Sequence, residues 1–215
     1  MASLTLVESL ATFAALPIII PVIVGIKRYT SISKAERLIV VLLMFALVSQ
    51  VVATVLWWNR INNLFISHYF TIVEGYLLMS YFAHYLSSKG SKWITGLKCV
   101  FVIFSLSQVF FSFPNLGMNA ASKGLESILL IGISLALWRK IMKEYTTENL
   151  LSKPVFWINS AVLIYFSASM LLFIFSESIL TGKHSARILL WGMHLFFMTI
   201  YYVLIGIGLW RITRK

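Results

Sequence analysis

Aspartate is absent from this chain, which removes the Asp-dependent membrane proteases and every Asp-based dyad from the functions to be weighed. Cysteine occurs once, at Cys99, so no intramolecular disulfide and no cysteine-based metal cluster can form, and Cys99 reads as a small packing residue in an apolar stretch. Charge is scarce as well: 12% of the residues are charged, whereas soluble domains run near a quarter. There is no His-Glu-x-x-His sequence, Gly-x-Ser-x-Gly elbow or phosphate-binding glycine loop, so an enzyme here would need an unfamiliar constellation. Internal repeats, low-complexity tracts and domain linkers are also missing.

What fills the chain instead is apolar sequence. Sixty per cent of the 215 residues are hydrophobic and the mean hydropathy is +0.89, the composition of an integral membrane protein. At about 20 residues per crossing, seven spans fall at roughly 4–26, 36–58, 64–86, 93–113, 121–142, 154–176 and 186–210. Apolar runs of that length suit helices, which satisfy their own backbone hydrogen bonds in lipid, rather than short alternating barrel strands. The expected fold is an all-α, seven-transmembrane-helix bundle in which residues 1–215 form a single domain.

Lysine and arginine set the orientation. All but four of the 18 basic side chains fall after the first, third and fifth spans or at the C-terminus. Lys27, Arg28, Lys34 and Arg37 form the first group. Only Arg60, Lys123, Lys183 and Arg187 belong to the opposite side. This bias puts the N-terminus outside and the C-terminus in the cytoplasm. The formal charge of +11 follows from the same loops, so no nucleic-acid partner is implied, and anionic lipid headgroups are natural contacts. Ala11 to Ala15 suggests a cleavage site, yet no basic region precedes the apolar run and Lys27 and Arg28 follow it, as in an uncleaved helix. Pro17 and Pro21 should bend that helix. The longest polar connection, Lys143 to Lys153, reads as an ordinary cytoplasmic loop.

The polar groups inside the spans carry the functional information. A carboxylate in hydrocarbon costs about 2.5–3.5 kcal/mol on insertion scales, so it faces a partner, a cavity or a path. Glu74 is near the middle of the third span. Ser67, His68, Thr71, Glu74 and Gly75 share an arc of about 120° on a helix, and Gly75 permits close approach beside the acid. Arg187, His194 and Tyr201 recur on one face of the seventh span, with Trp191 and Met198 alongside. Glu126 enters the outer part of the fifth span, and Glu8 and Glu177 lie at outer ends. Gln50, Asn159 and Tyr165 are scattered lower. Asn59, Asn62 and Asn63 read as caps and turns, and Trp57, Trp58, Trp93, Trp138 and Trp210 as interfacial belts. The ligand-binding or proton-exchange candidates are Glu74, His194, Glu126, His68 and Thr71. The bland alternative makes each a hydrogen-bonded packing residue. A metal held by His68, Glu74, Glu126 and His194 is chemically possible, but ligands from three helices have no diagnostic spacing, and no cofactor is implied.

The segments NRINNLFISHYFTIVEG and PVFWINSAVLIYFSASM resemble those of small seven-helix bacterial integral membrane proteins of uncharacterised activity. That resemblance implies a multi-pass protein of the bacterial inner membrane and transfers neither activity nor site residues. Rhodopsins are a poorer fit because Ile188 to Trp210 contains no lysine for a retinal Schiff base, and the receptor signatures Asp-Arg-Tyr and Asn-Pro-x-x-Tyr are missing. The functional expectation is a binding or sensory module with a polar cavity in its outer half, signalling through a separate membrane or cytoplasmic partner. A proton-coupled carrier and a membrane enzyme acting on lipid are the alternatives.

Overall fold

A computed structural model describes residues 16–112, 119–144, 149–174 and 184–212. Among them are seven α-helices: α1 (Leu16–Arg28), α2 (Lys34–Trp58), α3 (Leu64–Tyr85), α4 (Ser88–Ser112), α5 (Ala120–Glu144), α6 (Pro154–Ile174) and α7 (His184–Trp210). A short 3-10 turn, Leu150–Ser152, precedes α6. Four described helices are long and apolar enough to cross a membrane: Lys34–Trp58, Ser88–Phe111, Ala120–Glu144 and Gly192–Trp210. They suggest a membrane protein. The helix α3 is not among the four, because its polar stripe dilutes its apolar content.

Helix ends follow local chemistry. Ser33 and Glu36 form a reciprocal capping box at the start of α2, satisfying two backbone donors that the first turn leaves orphaned. The asparagine-rich turn between α2 and α3 is tied to both helices. Asn59 Nδ2 donates to the Val55 carbonyl at 2.7 Å, Asn63 Nδ2 to that of Ala53 at 3.0 Å, and Asn62 Oδ1 accepts from the Leu64 amide at 3.0 Å. Arg60 takes a left-handed backbone (φ 58°) to complete the reversal.

The helices α1, α2, α3, α5, α6 and α7 pack in sequence around a closed ring, with α7 returning against α1, while α4 lies outside it against α3 and, more lightly, α5. In one half of the ring Leu43, Leu78, Phe82, Leu137, Val162 and Ile205 are buried. Outward faces are strongly apolar: Phe110 and Phe111 are 78% and 81% exposed, and Val48, Val100 and Ile103 are more than half exposed. Glu74, Lys123, Glu126, Ser134 and Asn159 are buried inside instead. Such an inside-out distribution suits lipid rather than water around the bundle.

Several expectations change. Lys89, Lys92 and Lys98 belong to α4, which starts at Ser88 rather than 93, and Lys98 folds back to donate to Ser80 Oγ at 3.0 Å. Cys99 is exposed on α4 rather than packed. Residues 4–15 of the first expected span, Glu8, Glu177, Lys183 and residues 145–148 of the long polar connection lie outside the described residues.

Candidate functional site

The polar stripe of α3 meets the beginning of α5. The two helices run parallel, so that Thr71 faces Asn119, Glu74 faces Lys123, and Gly75 faces Glu126. Thr71 lies about two turns into α3, which means that α5 begins well inside the bundle. Its first turn then presents the positive end of a helix dipole beside the Glu74 carboxylate.

Lys123 is the centre of the site, and its sequence reading is overturned. Assigned above to an outer connection, it is buried within α5, where its ammonium donates to Glu74 Oε2 at 2.5 Å and to Glu126 Oε2 at 2.9 Å. The ammonium also lies 5.3 Å from the Phe70 ring centre and 5.9 Å from that of Phe166, close enough for the ring faces to attract it. Glu126 is fully buried, and its Oε1 has no hydrogen-bond partner among the described residues. A carboxylate inside a low-dielectric core needs such a counter-charge, since losing it would leave an uncompensated buried ion. The helical spacing Lys123–Glu126 was a legible signal for half of this triad. The link to Glu74 spans 49 positions and has no local signature.

Gly75 explains how the carboxylates come together. A Cβ there would meet Cε1 of Phe101 at 2.4 Å and Oε1 of Glu126 at 3.2 Å. The close approach anticipated at this glycine is therefore made by the Phe101 ring from α4 and the Glu126 side chain from α5. Thr71 is held just above: its hydroxyl donates to the Ser67 carbonyl at 2.7 Å and accepts from Asn119 Nδ2 at 2.9 Å.

Beside the triad is a cavity of about 290 Å³ between α2, α3, α5, α6 and α7, extending from Asn63 and Asn119 to Tyr201 and Tyr202. Glu74 and Lys123 contribute to one wall and His194 to another. Gln50 and Tyr165, expected lower in the bundle, line the same space. Tyr165 stacks obliquely on Tyr201 with ring centres 4.9 Å apart and lies 5.8 Å from the His194 ring. Tyr201 Oη has no hydrogen-bond partner among the described residues. Asn159 is elsewhere, donating to the Ser134 carbonyl at 3.1 Å.

The candidates thus separate. Glu74 and His194 line the cavity, Glu126 supports it from behind through Lys123, Thr71 holds the lining residue Asn119, and His68 is buried on α3 without lining it. The side chains of Arg187 and Trp191 lie outside the described residues. Among the described residues, no group of three histidine, cysteine or acidic side chains could hold a metal ion; Lys123 occupies the space between the two carboxylates that such an ion would need. Comparisons with family models, curated proteins and solved structures return no match, so the chemistry rests on these residues alone.

Proposed function

We propose that the chain is a seven-helix inner-membrane protein, N-terminus outside and C-terminus in the cytoplasm, that acts as a binding or sensory module. The observation that carries the reading is the cavity walled by Glu74, Lys123, His194 and three tyrosines. Its volume of about 290 Å³ is close to the lower end of small-molecule sites, roughly 300–1,000 Å³. The triad sets two carboxyl groups against one ammonium. With the aromatic faces of Tyr165, Tyr201 and Tyr202, that balance favours a small ligand bearing positive charge, including a proton. The cavity belongs to the outer half in the proposed orientation. Occupancy would bias the packing of α3, α5 and α7, and a separate protein would read the change at the cytoplasmic ends.

Removal of Lys123 from the set of outer loop cations strengthens the proposed orientation, because it leaves that side poorer still in positive charge. The carrier reading draws support from the same triad, since a lysine shared by two carboxyl groups can rearrange when a proton enters. Against it, apolar side chains such as Leu78, Phe82 and Ile205 are buried beyond Tyr201.

The deciding measurement is thermal stability of the purified protein across pH, with and without small ammonium compounds and inorganic cations, for wild type and Glu74→Gln. Ligands that bind the native state raise its stability. The expected result is a folded variant in which that stabilisation, or its pH dependence, is altered. Equal responses of the two proteins under every condition would make Glu74 a packing residue.

A further inference from the structure

At the opposite end of the bundle from the charged cavity, α1 and α7 run parallel and in close register. Pro21 packs on Gly206, Gly25 approaches Leu209, and Arg28 donates a hydrogen bond to the Ile212 carbonyl. Beside this seam and the start of α6 is an open groove of about 1,470 Å³. One wall is a stripe on α1 formed by Pro17, Ile20, Val24 and Arg28; the other is Val203, Gly206, Ile207 and Trp210 on α7. Both have helical spacing, so each is a continuous line along its helix.

The groove is apolar along its length and basic at one end. Ile20 is 64% exposed and Val203 47%, while Arg28, Lys153 and Arg211 gather at the rim. The rim also holds Trp157 and Trp210, and the Arg28 guanidinium lies 5.2 Å from the Trp210 ring centre. Glu36 contributes to the lining, but its carboxylate already accepts from the Ser33 amide at 3.1 Å and from the Tyr85 hydroxyl at 2.5 Å. One carboxylate against the guanidinium groups of Arg28 and Arg211 leaves the rim net positive. From Pro17 to Arg28 the α1 wall rises about 16 Å at ~1.5 Å per residue, close to one leaflet of a hydrocarbon core about 30 Å thick.

We propose that this groove is a binding site for one anionic phospholipid of the cytoplasmic leaflet. Its phosphate is placed at Arg28 and Arg211, between the two tryptophans, and one acyl chain runs along the seam between α1 and α7. Basic side chains at the headgroup level attract anionic lipid, and tryptophan rings favour that same level. A neutral lipid would bring no net negative charge to Arg28 and Arg211, and a free phosphate would leave the apolar walls uncovered. The site rests on the membrane reading above but not on the Glu74 cavity, so the two can fail separately.

The test titrates phosphatidylglycerol into phosphatidylcholine micelles containing the full chain and follows the melting temperature, with glycerol phosphate as the soluble headgroup control. The expected result is saturable stabilisation by phosphatidylglycerol and none by glycerol phosphate. For Arg211→Gln, an exposed position, apparent affinity should fall about fivefold, the loss expected for one basic residue near an anionic surface. Val203→Trp fills the groove without altering charge and should weaken binding to a similar degree, while both variants keep the wild-type response to ligands of the Glu74 cavity. Equal stabilisation by the two lipids, a full effect from glycerol phosphate, or unchanged affinity in both variants would each overturn the proposal. So would failure of phosphatidylglycerol to stabilise the wild type, the result expected if another part of the chain fills the groove.

Discussion

Lys123 carries more of this protein's internal electrostatics than any other residue described. It bridges Glu74 and Glu126, and a buried ion pair that loses one partner costs about 3–5 kcal/mol, whereas replacing all its charges together with neutral groups of similar size can be nearly neutral. Lys123→Met should therefore lower stability by about that amount in thermal unfolding. The triple variant Glu74→Gln, Lys123→Met, Glu126→Gln should recover most of it, and a triple variant less stable than Lys123→Met alone would contradict the shared-charge account. Thr71→Val predicts a smaller loss, about 1 kcal/mol, because it removes the nearer acceptor of Asn119 Nδ2, at 2.9 Å, and leaves only the Ser67 carbonyl at 3.3 Å. That variant tests whether the start of α5 is held in place by Thr71.

At the level of whole helices, α4 packs along α3, and one tight point of that seam is the Phe101 ring seated over Gly75. Gly75→Ala places a methyl group within 2.4 Å of that ring, and overpacking of this kind costs about 1–3 kcal/mol. Phe101→Leu frees space at the ring edge, so the double variant should be less destabilised than the sum of the two single changes. Additivity in a double-mutant cycle would mean that the two positions do not share this contact. Sequence spacing placed Glu74 and Thr71 on one stripe of α3, and they do share a buried face. It could not identify the facing element: Lys123 counted only as an outer cation, because nothing local shows that the start of α5 is buried against α3.

For the molecule as a whole, the proposed orientation is open to cysteine labelling in a Cys99→Ser background, needed because Cys99 is exposed. Asn62→Cys, exposed in the turn before α3, should react with an impermeant reagent from outside, and Ser88→Cys, exposed at the start of α4, only from the cytoplasmic side. The reverse pattern would invert the bundle and move the Glu74 cavity to the cytoplasmic half. Reaction of both from one side would remove α3, the polar helix absent from the four apolar spans, as a crossing.

Composition alone pointed to a helical protein, because scarce charge and apolar runs of about 20 residues suit helices, which satisfy their own backbone hydrogen bonds where water is excluded. Periodicity alone determined that Ser67, Thr71 and Glu74 point together, since side-chain direction follows from the pitch of a single helix. Only the tertiary structure decided what they point at. The parallel register of α3 and α5, the burial of Lys123 between two acids and the assembly of Tyr165, His194 and Tyr201 around one cavity depend on contacts between positions far apart in the chain. Those contacts arise from helix packing, for which the local pattern of residues has no coordinate.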